Sequence, residues 1–506
     1  MASATAGGHA LNHATKADLE QSQHIDEKSS ESDGNDLNVI TWTEKEEKAV
    51  RNKIDWYIVP LVTFLYLLCF LDRANIGNAR IQGMQEDLAL YGYRFNWAGS
   101  IFYIVYLLVE VPSNIILKRV GPRFYLPLLV VGFGVVSMCT AFVKDFAGLC
   151  TARAFLGIFE GGAMPGIAFF LSCFYKRKEL YFRIGIFVSA ASMAGAFGGL
   201  LATGLARIPR WGSDAAPIHT WRNIFFFEGL ITIFAGLLAP IIMPQSPSTC
   251  KWLTERQRYI AHERLIREYK SDPMETVKAR HVKRAVFNVN NIVAAGGFFA
   301  INVTVQGVSI FMPTILADLG WTATQAQLYS VPPYVCACFV AILVAFISDK
   351  TQRRGVYLAS FTFLGIAGFS ILRWYQGVNA RYGAVYLVVI GAFPGGPGFL
   401  SWAVNNTAGP NVRAVASGYI VSLGTMGGIL ATWAYLRDDA PLYHIGHNIN
   451  LSMQVLVLCL ASFGIYWCHR ENRLRDQGKR DHRLNGLTEA EQADLGHLHP
   501  SFRYIS

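Results

Sequence analysis

WYIVPLVTFLYLLCFLDRANIGNA, residues Trp56 to Ala79, decides how this chain has to be read. Sixteen mostly apolar residues run into Asp72 and Arg73, and small and amide side chains then continue to Ala79. At about 1.5 Å per helical residue, Asp72 lies roughly 24 Å from Trp56, past the midplane of a hydrocarbon slab about 30 Å thick. A carboxylate or guanidinium at the centre of a span costs about 2.5–3.5 kcal/mol on insertion scales, so such groups face a bundle interior. The stretch therefore predicts a membrane helix with a buried Asp-Arg pair facing a polar cavity. In the competing reading the helix stops at Leu71 and the pair is a polar flank that snorkels to the surface.

Composition carries the membrane assignment to the whole chain. Of 506 residues, 52% are hydrophobic and only 16% charged, and apolar runs of spanning length recur throughout. The net charge of +10 is spread over short loops between those runs, as the positive-inside rule expects, which argues against a nucleic-acid partner. The nine cysteines fall mostly inside apolar runs, and Cys336-Ala-Cys338 lacks zinc spacing, so they read as small hydrophobes with no metal or disulfide role. Met1 to Thr43 is polar and lacks the apolar core of a signal peptide; with the residues up to 53 it reads as a disordered cytosolic tail.

Further spans are expected at Trp97–Leu117, Phe124–Phe142, Phe146–Phe174, Ile184–Ala206 and Asn223–Met243. After a charged connection over 244–289, six more follow at Asn290–Met312, Ser330–Ile347, Val356–Tyr375, Gly383–Val404, Ala416–Leu436 and Ile449–Trp467. The fold class is thus all-α and polytopic, twelve helices in two halves, 54–243 and 290–469, with a tail from 470. Lys and Arg collect after even-numbered spans, which assigns both termini to the cytosol. Basic turns recur at matching places in each half, KRVGPR after the second span and DKTQRR after the eighth, the pattern of a repeat-built transporter.

The residues LDRANIGNA in the first span, EVPSN in the second, RAFLGIFEGGAMPG in the fourth, WRNIFFFEGL opening the sixth, MPQSPSTCKWLTERQR in the connection and WAVNNTAG after the tenth together resemble one family. The sequence is similar to the major facilitator superfamily, and within it to the fungal anion:cation symporters of the allantoate and nicotinate permease type. The family's loop GxxxDRxGRR would put its Asp at Lys118, a departure, whereas the second copy keeps Asp349 with Lys350, Arg353 and Arg354. The resemblance implies a cytosolic gating set of Asp349, Arg353, Arg119 and Glu110. It also implies a proton-coupled importer of a small organic monocarboxylate, nicotinate being one candidate, at the plasma membrane and acting as a monomer. The Gly-Pro pair that antiporters carry in the fifth span is missing, which favours uptake. An exporter and a non-transporting nutrient sensor are the alternatives.

Arg153, Gly157, Glu160 and Met164 fall on one stripe of the fourth span, with Arg153 near the depth of Asp72. The plain reading of these acids and bases is a charge cluster that fixes helix packing. The resemblance implies instead that Arg73 holds the substrate carboxylate, that Asp72 and Glu160 take up protons, and that Arg153 partners one of them. The proton is then the coupling ion and no cofactor is needed. Asn302 and Gln306 on the seventh span, and Trp402, Asn405 and Asn406 ending the tenth, are candidates to complete the cavity, although amides also serve as interhelical glue. Glu110 and Glu228 read as partners of the cytosolic loops. Gly195 and Gly199 suit close helix contact, and GAFPGGPG over 391–398 is expected to break the tenth span. No phosphate-binding loop, metal spacing or nucleophile motif suggests an enzyme.

Overall fold

A computed structural model describes residues 42–213, 216–269, 279–488, 492 and 495–506. The chain divides after Glu47 into a short first unit and a long second one. In the short first unit, Thr43 and Glu46 cap each other: the Thr43 amide donates to Glu46 Oε2 at 3.0 Å and the Glu46 amide to Thr43 Oγ1 at 3.3 Å. That reciprocal cap starts the first helix twelve residues before the apolar run, so the segment up to 53 is not all tail. Residues 1–41, the bulk of the expected disordered segment, lie outside the described residues.

The first helix, α1, is Glu44–Ala79. It ends in a π turn, Arg80–Met84, where Gly83 at φ 99° supplies the left-handed backbone that a larger residue resists. Then come α2 Arg94–Val120, α3 Pro122–Thr140, α4 Phe146–Glu160, α5 Ala163–Ser172, α6 Arg177–Leu205 and α7 Trp221–Ile242. The connection holds α8 Glu255–Tyr269 and α9 Ala279–Val286. The second set is α10 Val289–Ala317, α11 Ala323–Thr351, α12 Arg354–Trp374, α13 Val378–Ala392, α14 Gly395–Asn405, α15 Pro410–Ala434 and α16 His444–Asp476. Helices α4 and α5 form one span, and α13 and α14 another, which gives twelve helical segments long and apolar enough to cross a membrane among the described residues.

The expected break in the tenth span is present, between Ala392 and Gly395. A break at Gly161-Gly162 in the fourth was not expected. A hairpin, β1 Trp211–Ser213 against β2 Ala216–Ile218, also lay outside the helical reading. We call the end of the bundle where α1 and α2 meet the polar connection proximal, and the end holding Ala79, Leu205 and Ala434 distal.

Glycines set the helix contacts. A Cβ on Gly229 of α7 would lie 2.5 Å from the Met138 backbone nitrogen of α3, and one on Gly391 of α13 would lie 2.5 Å from the Gly365 nitrogen of α12. Without side chains at these points the backbones come into direct contact, which is how packed helices associate where lipid offers no hydrophobic drive. Helix α10 is the innermost: 89% of its most apolar window is buried, against 28% to 61% for the other spans. The connection divides its contacts. Arg264 of α8, fully buried, donates to the Phe174 carbonyl at 2.8 Å, while α9 packs on α15.

Candidate functional site

Three glycines of the fourth span press it onto α2. Added Cβ atoms would meet Phe102 O at 2.6 Å from Gly157, Tyr106 O at 2.8 Å from Gly161 and Ser113 Oγ at 1.8 Å from Gly162. This approach carries Phe102 and Tyr106 toward α1, where they close around Arg73. The Arg73 guanidinium carbon lies 4.9 Å from the Phe70 ring centre, 5.4 Å from Phe102 and 5.0 Å from Tyr106. Within this ring cage Arg73 Nε donates to Glu160 Oε2 at 2.6 Å. That bond uses Nε and leaves both Nη nitrogens outside it. Glu160 is fully buried and its Oε1 has no hydrogen-bond partner.

Beside the cage is a cavity lined from both halves. Tyr66, Phe70, Arg73, Tyr103, Tyr106 and Met164 contribute from the N-terminal side. Phe298, Asn302, Gln306, Phe393 and Thr425 face them from the C-terminal side. The space between, mouth included, is about 680 Å³. Gln306 Oε1 accepts from Tyr103 Oη at 2.9 Å, which ties the halves together on the wall of the cavity, and Asn302 Nδ2 donates to Phe298 O of its own helix at 3.1 Å.

Asp72 does not join Arg73. Neighbouring helical residues diverge by about 100°, and Asp72 turns toward α3, where its Oδ1 accepts from Ser137 Oγ at 2.5 Å. It is buried and outside the cavity lining, so the expectation of an Asp-Arg pair facing one hollow is corrected: only the arginine faces it. Arg153 is buried within electrostatic reach of both Asp72 and Glu160, 5.9 Å from the Phe225 ring, with Nη2 unpartnered. Glu228 is no loop partner: buried within the bundle, its Oε2 accepts from Asn75 Nδ2 at 2.5 Å.

Asn405 and Asn406 are also corrected. Both lie at the proximal end, away from the cavity lining. The Asn405 amide oxygen accepts from both Arg354 Nη nitrogens, at 3.1 and 3.2 Å. Asn406 pairs with the chain terminus, accepting from Ile505 N at 2.8 Å and donating to Ile505 O at 2.9 Å, and Trp402 Nε1 donates to the same carbonyl at 2.7 Å. Sequence spacing cannot see a tail that returns from a hundred residues away. In the expected gating set, Arg119 and Arg353 are exposed and Arg354 is the buried arginine of its turn; the Asp349 side chain lies outside the described residues. Glu110 is buried and lies against Ser422 of α15, a contact between the halves. Asn450, whose Asn-Leu-Ser sequence has the form of a glycosylation acceptor, is fully buried and donates to Tyr435 Oη at 3.2 Å. The cage ring Phe102 had one signal in the sequence, the glycines Gly157, Gly161 and Gly162 of the fourth span.

Comparison with known proteins agrees with this architecture. The chain is 32% identical over 456 residues to an uncharacterized transporter of Schizosaccharomyces pombe, covering 90% of this chain and 93% of that one. It is 30% identical over 501 residues to the high-affinity nicotinic acid transporter of Saccharomyces cerevisiae, covering 98% and 91%. Among solved structures it superposes on a bacterial homologue of the human lysosomal transporter Spinster, inward-facing and unoccupied, with a TM-score of 0.61 at 15% identity, covering 84% and 97%. The D-xylose-proton symporter gives 0.59 at 13% identity, covering 81% and 97%, a likeness of fold alone. With residues 62–432 matching the family model, the chain belongs to the Major Facilitator Superfamily and is a multi-pass membrane transporter.

Proposed function

We propose that the protein imports a small organic monocarboxylate together with a proton, and that Glu160 is the group through which the two are coupled. The observation that carries this reading is the Arg73 Nε to Glu160 Oε2 bond of 2.6 Å beside the cavity. A guanidinium grips a carboxylate through paired N–H groups, and here an internal carboxylate already holds it. An incoming anion competes with Glu160 for the same cation. Protonating Glu160 removes the competing charge, so proton and anion each favour the binding of the other, with no chemical step.

The flat walls, Tyr66, Phe70, Tyr103, Tyr106, Phe298 and Phe393, suit a ring-bearing acid, and the amides of Asn302 and Gln306 offer it polar contacts. The yeast relative's name points to nicotinic acid. The halves 54–243 and 290–469 are taken as the moving bodies. The protein acts as a monomer in the lipid bilayer, at the plasma membrane, with the proximal end and both termini in the cytosol. The proton is the coupling ion, and no nucleic acid takes part.

Radiolabelled nicotinate uptake, with a competition panel of related acids, in yeast lacking its own carrier is the direct test. External acid should stimulate uptake and a protonophore should abolish it; uptake indifferent to pH refutes the coupling. Arg73→Lys should lose at least tenfold in kcat/KM, because an ammonium lacks the planar fork. Normal transport by that variant would remove Arg73 from the site.

A further inference from the structure

The seam between the halves is closed on the distal side of the cavity, and at two points a glycine lets backbone meet backbone. A Cβ on Gly77 of α1 would sit 1.9 Å from Ile310 O of α10, and one on Gly199 of α6 would sit 2.6 Å from Gln327 O of α11. On α2, a Cβ on Gly99 would lie 2.8 Å from Thr432 Cγ2 of α15. Hydrogen bonds run alongside: Asn96 Nδ2 to Thr432 O at 2.5 Å, Trp433 Nε1 to Ser100 Oγ at 2.8 Å, and Tyr93 Oη to Asp438 Oδ2 at 3.2 Å.

One residue stands apart in this seam. Gln327 of α11 is fully buried, and among the described residues the hydrogen-bond partners of its side-chain amide all belong to the opposite half. Its Oε1 accepts from Gln82 Nε2 at 3.0 Å and from Thr203 Oγ1 at 3.1 Å, and its Nε2 donates to Asn78 O at 3.4 Å. Those partners come from the π turn, α6 and α1. Separating the halves strips the amide of all three at once.

We propose that Gln327 is the latch of the distal seam, and that its amide, seated where Gly77 and Gly199 let the backbones meet, sets the balance between proximal-open and distal-open states. A buried amide whose partners lie only across a moving boundary contributes in one state alone, the condition for biasing an equilibrium. Each hydrogen bond contributes about 1 kcal/mol net, so removing the latch shifts the populations by tenfold or more. Gly77 acts through shape: the three atoms nearest a Cβ there are all of Ile310, so a methyl props the seam open without burdening its own half. The inference holds whatever the substrate.

The test uses the full chain in oriented membrane vesicles, with Val305 of the cavity wall changed to Cys and an impermeant maleimide added from either face; the labelled peptide is identified by mass. The parent should label from the proximal face. Gln327→Leu and Gly77→Ala should raise distal labelling at least tenfold and lower proximal labelling. Thr203→Val and Gln82→Ala, which weaken the latch from the other half, should shift it less in the same direction, and they stand in if Gln327→Leu fails to reach the membrane. Parent-like labelling of folded Gln327→Leu, or of both substitute variants, overturns the latch. Parent-like labelling of Gly77→Ala overturns the steric part.

Discussion

Two carboxylates at neighbouring depths have different neighbours, and the chemistry assigned to each follows from them. Glu160 touches the one guanidinium that faces the cavity, whereas Asp72 is held by the Ser137 hydroxyl on the far side of α1. Substituting the two should therefore separate them. Glu160→Gln is expected to abolish the stimulation of uptake by external acid while letting the substrate exchange across the membrane; Asp72→Asn is expected to keep the acid stimulation. Parallel uptake and exchange measurements across pH 5 to 8 distinguish the outcomes, and equal loss in both variants would place the coupling in the cluster as a whole. Replacing Arg73 by an uncharged residue is a poorer probe, because it leaves the buried Glu160 carboxylate without its cation, which costs about 3–5 kcal/mol and destabilises the fold itself.

Helices and the terminal segment impose their own constraints. The fourth span positions the ring cage only because Gly157 lets it lie against Phe102, so Gly157→Ala, with its methyl 2.6 Å from a backbone oxygen, should cost about 1–3 kcal/mol as overpacking and raise KM. Thermal unfolding in detergent and transport kinetics read the two effects. At the proximal end the tail returns to α14 and α16. Asn472 exchanges two hydrogen bonds with the Tyr504 backbone at 2.8 and 2.9 Å, and Arg475 donates to Phe502 O at 2.5 Å and His497 O at 3.0 Å. His497 is buried there, and burial, reinforced by the charges of Arg475, Arg284 and Arg483, pushes its imidazole from the usual 6.5 down to about 4. The docked tail thus binds a proton less readily than a free one. Docking is fully favoured above about pH 6.5 and weakens as pH falls from there toward 4. Hydrogen-exchange protection factors over residues 495–506, taken relative to the intrinsic rate at each pH, should fall between pH 7 and pH 5, and His497→Gln should flatten that fall.

For the whole molecule, the distribution of contacts between the halves describes a state. The distal seam holds direct backbone approaches and the Gln327 latch, and the Tyr103–Gln306 bond closes the cavity on that side. The proposed latch implies that access to the cavity comes from the proximal side. The connection suits this arrangement, since α8 is pinned to the N-terminal half through Arg264 and α9 packs with the C-terminal half. Gly195 and Gly199, read from their spacing as helix-contact residues, meet Tyr334 and Gln327 across the seam, so their contact is with the partner half and opens when the halves part.

The sequence by itself determined the number of spans, the break at 391–398 and the ionised pair in the first helix, because hydrophobic length and the cost of burying charge are local properties. It also determined that Arg153 and Glu160 share a face, because helical periodicity acts within one element. Only the tertiary structure decided which way each charge points: that Arg73 faces the cavity and Asp72 turns to Ser137, that Asn406 serves the returning tail, that Glu228 joins Asn75, and that Gln327 spans the seam. Each of these depends on a neighbour supplied by a distant part of the chain, and that neighbour is fixed by how closely the glycine faces let the helices approach.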